Sequence, residues 1–222
     1  NTGPEIVEIT GYDDFKTKAA QQARDSALAQ KQIPVLSRKL EEAKASVEKL
    51  RARLAEKGVH LAEGAAQETV LWTEPETGVA CEGKLDHRQE ERGLMIVSDF
   101  KTAKGADEEA FLRSIMNYGY DIQQHAYVEA IEQRHPEWAG RVRFRWLVWE
   151  TVAPYALAVY EPSGAMQKLG AHKWGKAARI WERCLRTGQW PGYGGTAKQP
   201  VALHPKSYHL TGILEEGAAL EL

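Results

Sequence analysis

Two aspartates and a lysine fall within the stretch 79–104, VACEGKLDHRQEERGLMIVSDFKTAK, at spacings that could bring them to one point. Asp86 is expected to close one strand, and Asp99 and Lys101 to lie near the end of the next. Side chains two residues apart in a strand share a face, so Asp99 and Lys101 project together while Phe100 turns toward the core. The polar run HRQEERG between them has the composition of a loop joining antiparallel neighbours, which would set Asp86 beside Asp99. Paired carboxylates repel unless a cation sits between them, and an all-oxygen donor set suits a hard ion such as Mg2+ or Mn2+. A lysine beside that pair can orient water or stabilise charge developing on a phosphate. Asp-x-Lys alone is far more often a surface ion pair, so the chemical reading depends on its surroundings.

Those surroundings contain two further signals. Gln123 and Tyr127 are four residues apart on an expected helix and can present an amide and a phenol to one ligand, with Tyr120 close to the same face. By itself that spacing fits an ordinary helix surface. The last helix carries Lys168, His172, Lys176, Arg179, Arg183 and Arg186 within an arc of about 80° at helical rotation. Trp174, Ala178, Trp181 and Leu185 lie opposite, as expected for a face turned to the core. A basic stripe is often only a solvated surface, but Arg141, Arg143 and Arg145 alternate along one face of the preceding strand. Together these groups could contact several phosphates and make binding steeply salt-dependent.

The elements that must position these groups follow from periodicity. Ile6–Ile9 is a short apolar alternation, and Asp13 reads as the N-cap of a helix running toward Gln30, with Phe15, Ala19, Ala23 and Ala27 along one stripe and Pro34 as its outer limit. A second helix runs from Leu36 to near Gly58. Strands are expected at Glu68–Thr73, Val79–Asp86 and Met95–Lys101, forming an antiparallel meander with EPETG as the first turn. Asp107 opens a helix to about Met116, and another runs from Tyr120 to Gln133 after Gly119. Arg141–Glu150 reads as a strand wet at one end, Tyr155–Glu161 as its antiparallel return, and Ser163 or Gly164 as the start of a helix to Thr187. The fold class expected is α/β of the α+β type, in three regions: helices over 1–64, a core over 65–193, and a turn-rich tail over 194–222.

Composition narrows the functional classes. The chain has 222 residues, 43% of them hydrophobic and 27% charged, with a formal charge of −2, so a nucleic-acid partner must be held by local basic patches. No apolar run approaches a membrane span, which excludes a membrane partner. Two cysteines, Cys81 and Cys184, cannot make a disulfide framework or a cysteine-ligated cluster, and point to a reducing cytoplasm. The histidines show no metal-ligand spacing, with His87 and His125 the nearest to the candidate site. GYGGT at 192–196 is neither a P-loop nor a dinucleotide fingerprint, and no nucleophile elbow is present. Asn1 in place of an initiating methionine, without a signal-peptide pattern, raises the expectation of a longer product.

Read in order, LD at 85–86, DFK at 99–101 and QQHAY at 123–127 resemble the PD-(D/E)XK nuclease superfamily, and its RecE-like exonuclease branch in particular. The likeness continues through CEGKLD, VSDFKTA, NYGYDIQQHAYVEAI and CLRTGQWPGY, from about Glu68 to Tyr193. It implies a meander followed by a helix and further strands. It also implies Mg2+ (or Mn2+) held by Asp86, Asp99 and the Phe100 carbonyl, Lys101 activating water, and Gln123, Tyr127 and Tyr120 positioning the strand end. Leu85 replaces the family's proline. The family's upstream helical histidine has no counterpart, since His60 in GVHLAEG lacks the small-residue helical context; a position upstream of Asn1 is expected for it.

The resemblance implies a metal-dependent exonuclease acting on duplex DNA ends, 5′ to 3′, in phage or prophage recombination beside a single-strand annealing protein, and assembled as a homo-oligomeric ring. The alternatives are a catalytically silent DNA-binding or assembly module, and a repair endonuclease on the same fold.

Overall fold

The computed structural model describes residues 5–61, 65–192 and 202–204. The chain divides into two compact units, Asn1–Ala178 and Arg179–Leu222. Apart from 202–204, the tail expected over 194–222 lies outside the described residues.

The first unit is built on a five-stranded sheet in the order β3-β4-β5-β6-β7. Strands β3 (Ala65–Thr73), β4 (Ala80–Glu91) and β5 (Leu94–Ala103) form the expected antiparallel meander. β6 (Val142–Glu150) then pairs parallel to β5, and β7 (Leu157–Tyr160) returns antiparallel on β6. Parallel neighbours need a crossover connection, supplied here by α3 (Glu108–Tyr118) and α4 (Tyr120–Arg134). Asp107 caps α3 by accepting from Ala110 N at 2.9 Å, and Gly119, with φ +70°, ends α3 and opens α4.

Being central, β5 and β6 are apolar on both faces. On the α4 side Val97, Phe144, Trp146 and Val148 join Phe111, Ala130 and Ile131 in the main core. On the other side Leu147, Trp149 and Leu157 pack with Leu54 and Val59, and Phe100 points into this second cluster as its position in Asp-Phe-Lys requires. The final helix, α5 (Gly164–Thr187), approaches α4 closely at Gly170, where a Cβ would stand 2.2 Å from the Asp121 carbonyl oxygen. Lys173 and Asp121 pair beside it at 2.7 Å.

Several expectations are corrected. The first helix, α1 (Lys18–Ala29), is capped by Thr17, not Asp13, and its buried residues are Ala20 and Ala27. Pro34 lies beyond that helix, as expected, but within a strand that was not expected, β2 (Ile33–Leu36), which pairs parallel to β1 (Ile6–Ile9) in a separate two-stranded sheet, where a missing N–H is tolerated. The next helix, α2 (Ser37–Glu56), follows at once.

HRQEERG is not a loop. β4 continues through Glu91, and the turn is Arg92–Gly93 alone, both residues at positive φ (+52° and +77°) as a tight two-residue hairpin demands. On α5, Trp174 packs on the main core, but Trp181 and Leu185 are exposed; within the second unit Trp181 meets Trp190 edge to face at 5.0 Å.

Candidate active site

The site forms where β4 and β5 part. Their ladder runs from Glu91↔Leu94 to His87↔Ser98. One step further the Asp86 carboxylate, in place of a main-chain carbonyl, accepts the Phe100 N–H through Oδ2 at 2.8 Å, and its Oδ1 accepts from Gln67 Nε2 at 3.3 Å. The aspartate therefore ends the ladder and is fixed in orientation by it.

Across the gap Asp99 is 2% exposed, and its Oδ2 pairs with Lys101 Nζ at 2.7 Å. Burial pushes the Asp99 carboxyl above the usual aspartate range, the Lys101 charge pulls it back in part, and the neighbouring Asp86 charge adds to the rise. Lys101 also donates to Gln123 Oε1 at 2.9 Å and stands 4.2 Å from the centre of the Tyr120 ring. An ammonium has three donors, so one N–H remains for a substrate oxygen.

α4 completes the chain of contacts. The Tyr127 hydroxyl donates to Lys84 O at 3.0 Å, so its oxygen is left to accept from Gln123 Nε2 at 3.3 Å. That fixes the Gln123 amide with its oxygen toward Lys101. The Tyr127 ring approaches β4 this closely only because residue 83 is glycine: a Cβ there would be 2.7 Å from Tyr127 Cε1 and 3.3 Å from Trp72 Cζ3. Gly83 was not singled out from the sequence, although a glycine inside a strand pattern is the mark of such close approach. Burial, with Tyr118 and Asp99 nearby, raises the Tyr120 phenol above its ordinary value.

Residues 10–199 match the model of the family described as PDDEXK-like domain of unknown function (DUF3799). The chain belongs to this family. Among solved structures, a protein from Eubacterium rectale named "Putative exonuclease" superposes with a TM-score of 0.55 at 15% identity, covering 91% of this chain and 74% of that one, a likeness of fold. A second structure, of a protein named SSO0001, gives 0.35 at 12% identity over 75% of this chain and 68% of that one. No curated protein matches the chain.

In this PDDEXK-like domain the residues that would hold a cation are Asp86 and Asp99, with the Phe100 carbonyl as the third group implied by the sequence resemblance. Among the described residues no cluster of three or more His, Cys, Asp or Glu side chains could hold a metal. Two hard carboxylates, one of them buried against its preference for water, fit an oxygen-seeking cation that retains part of its own hydration. His60, the histidine weighed for a further ligand, is exposed; its carbonyl accepts from Gln89 Nε2 at 2.8 Å.

The residues expected to meet DNA are dispersed. Arg145 is buried, donating to Ser98 Oγ at 2.8 Å and facing Glu91 at 3.6 Å, so its guanidinium belongs to the sheet interior and is removed from the set of phosphate contacts. Arg143 and Arg141 are exposed, Arg143 donating to Gly140 O and Val142 O, and Arg141 lying over Trp138 with a bond to Glu137 O. The three therefore do not make one basic face. Lys168, His172 and Lys176 of the first unit are exposed on α5, as are Arg179, Arg183 and Arg186 of the second. His125 faces Glu129 at 3.7 Å; Glu129 accepts both the Trp72 and Trp174 indoles and ties β3, α4 and α5 together.

Proposed function

We propose that the protein is a divalent-metal-dependent deoxyribonuclease that degrades duplex DNA from its ends. The observation that carries this reading is the Lys101 ammonium, fixed between Asp99 and Gln123 on a strand whose Phe100 N–H is bound by a second carboxylate, Asp86. A cation between Asp86 and Asp99 would supply Lewis-acid polarisation of a phosphate. Lys101 keeps one N–H for a non-bridging oxygen on which charge accumulates, in a largely buried setting that strengthens the interaction. Gln123 and Tyr127 hold Lys101 in place, and Tyr120 backs it with its ring face. The exposed lysines of α5 add sequence-independent attraction to the backbone.

By its resemblance to RecE-like enzymes, we assign 5′ to 3′ polarity, a role in phage-type recombination with an annealing protein, and a ring-shaped homo-oligomer that a sizing measurement would reveal. Purified protein with end-labelled duplex should release nucleotides in Mg2+ and none in EDTA. Asp86→Ala and Asp99→Ala should each abolish release while DNA binding persists, and covalently closed circles should stay intact. Full cleavage in EDTA, or by either variant, refutes the mechanism. Only two side-chain ligands are present among the described residues, which favours as second reading a DNA-binding module without turnover; its mark is salt-sensitive binding with no release under any divalent ion.

A further inference from the structure

A cavity of about 290 Å3 opens beside Lys101, between the end of β5 and α3. Its walls include Lys101, Lys104, Ser114, Tyr118 and Tyr120. Tyr118 is 72% exposed, yet its ring is held in place: it stacks on Tyr120 at 5.6 Å with 30° between planes. Two residues apart on an unbroken helix, these rings would point about 200° away from each other. The left-handed turn at Gly119 interrupts the helix and brings them together. Tyr120 in turn packs against Phe111 at 6.2 Å and carries the Lys101 ammonium over its face. A series thus leads from the buried carboxylate through Lys101 and Tyr120 to an aromatic plane open to solvent. Lys104 is exposed, forms no ion pair among the described residues, and gives the same cavity a second positive charge.

We propose that this cavity is a nucleotide subsite, in which Tyr118 stacks on the base next to the cleaved bond and Lys104 meets the adjoining phosphate. The inference rests on the nuclease reading of the neighbouring carboxylates. An aromatic plane with a flanking cation accepts any base, because every base has a π-face, and it requires that base to be unpaired. The ligand is therefore the unwound end of a strand, and the subsite would select frayed or single-stranded termini over fully paired ones.

The test measures binding in EDTA, so that no strand is cut, using fluorescence anisotropy of a duplex with a single-stranded tail and abasic sites scanned through the terminal nucleotides. Tyr118→Ala should weaken binding about tenfold and Tyr118→Phe should retain it. One abasic position should weaken the wild type by a similar factor and leave Tyr118→Ala unaffected, a coupling that general loss of structure would not produce. Lys104→Gln should lower the slope of log K against log salt by about one. Unchanged affinity in Tyr118→Ala, no abasic position that couples to it, or no binding by the wild type overturns the subsite. If the coupling appears while the wild type fails to cleave in Mg2+, the subsite stands and the nuclease reading falls; cleavage without coupling has the opposite meaning.

Discussion

Asp99 sits where its ionised form is least comfortable, 2% exposed and next to a second carboxylate, with Lys101 as partial compensation. Because its folded pKa is raised, the unfolded chain ionises first. Stability should then fall as pH rises from the ordinary aspartate value to the raised folded one, and stay lower above it. Asp99→Asn removes that loss, so in EDTA the variant should melt higher than wild type at neutral pH and show a flatter pH profile. Mg2+ should stabilise the wild type there and leave the variant unchanged. Equal melting temperatures at neutral pH would show that burial is not the governing influence. The grouping of Asp99, Lys101, Gln123 and Tyr127 was readable from sequence because the strand period of two and the helix period near four align each pair without knowledge of the fold. Asp86's capture of the Phe100 N–H was not readable, since it depends on where two strands separate.

At the scale of elements, order and type from β3 to α5 followed from pattern, whereas the four-residue strand β2 was too short to leave a period and the end of β4 was hidden by buried polar residues. His87 and Gln89 lie inside the sheet, so a composition that reads as loop is strand. Gly83 governs how β4 meets α4. A glycine inside a strand normally gains stability when replaced by alanine, by about 0.5–1 kcal/mol. Here the added methyl would strike the Tyr127 ring, so Gly83→Ala should cost about 1–3 kcal/mol and reduce cleavage by releasing Gln123 from its fixed orientation. Tyr127→Ala in the Gly83→Ala background should add much less destabilisation than in the wild type. Additive free energies in that cycle, measured by denaturant unfolding, would place the cost elsewhere.

For the whole molecule, charge decides what sequence could foresee. The net charge of −2 gives no overall attraction for DNA, so affinity must come from local groups, and sequence alone could not sort exposed from buried ones. Arg145 illustrates the difficulty: the same alternation that exposes Arg143 sets Arg145 inside, where Ser98 Oγ accepts from it and Glu91 faces it. Lys168 and Lys176 lie two helical turns apart on the exposed side of α5 and are free of that constraint. If both meet phosphates, each neutralises one backbone charge and releases its counterion. Lys168→Gln with Lys176→Gln should then reduce the slope of log K against log salt by about two for duplex DNA, while Arg145→Gln should leave the slope unchanged and lower the unfolding midpoint. A slope insensitive to the lysine pair, or one that falls with Arg145→Gln, would move the DNA path away from this helix.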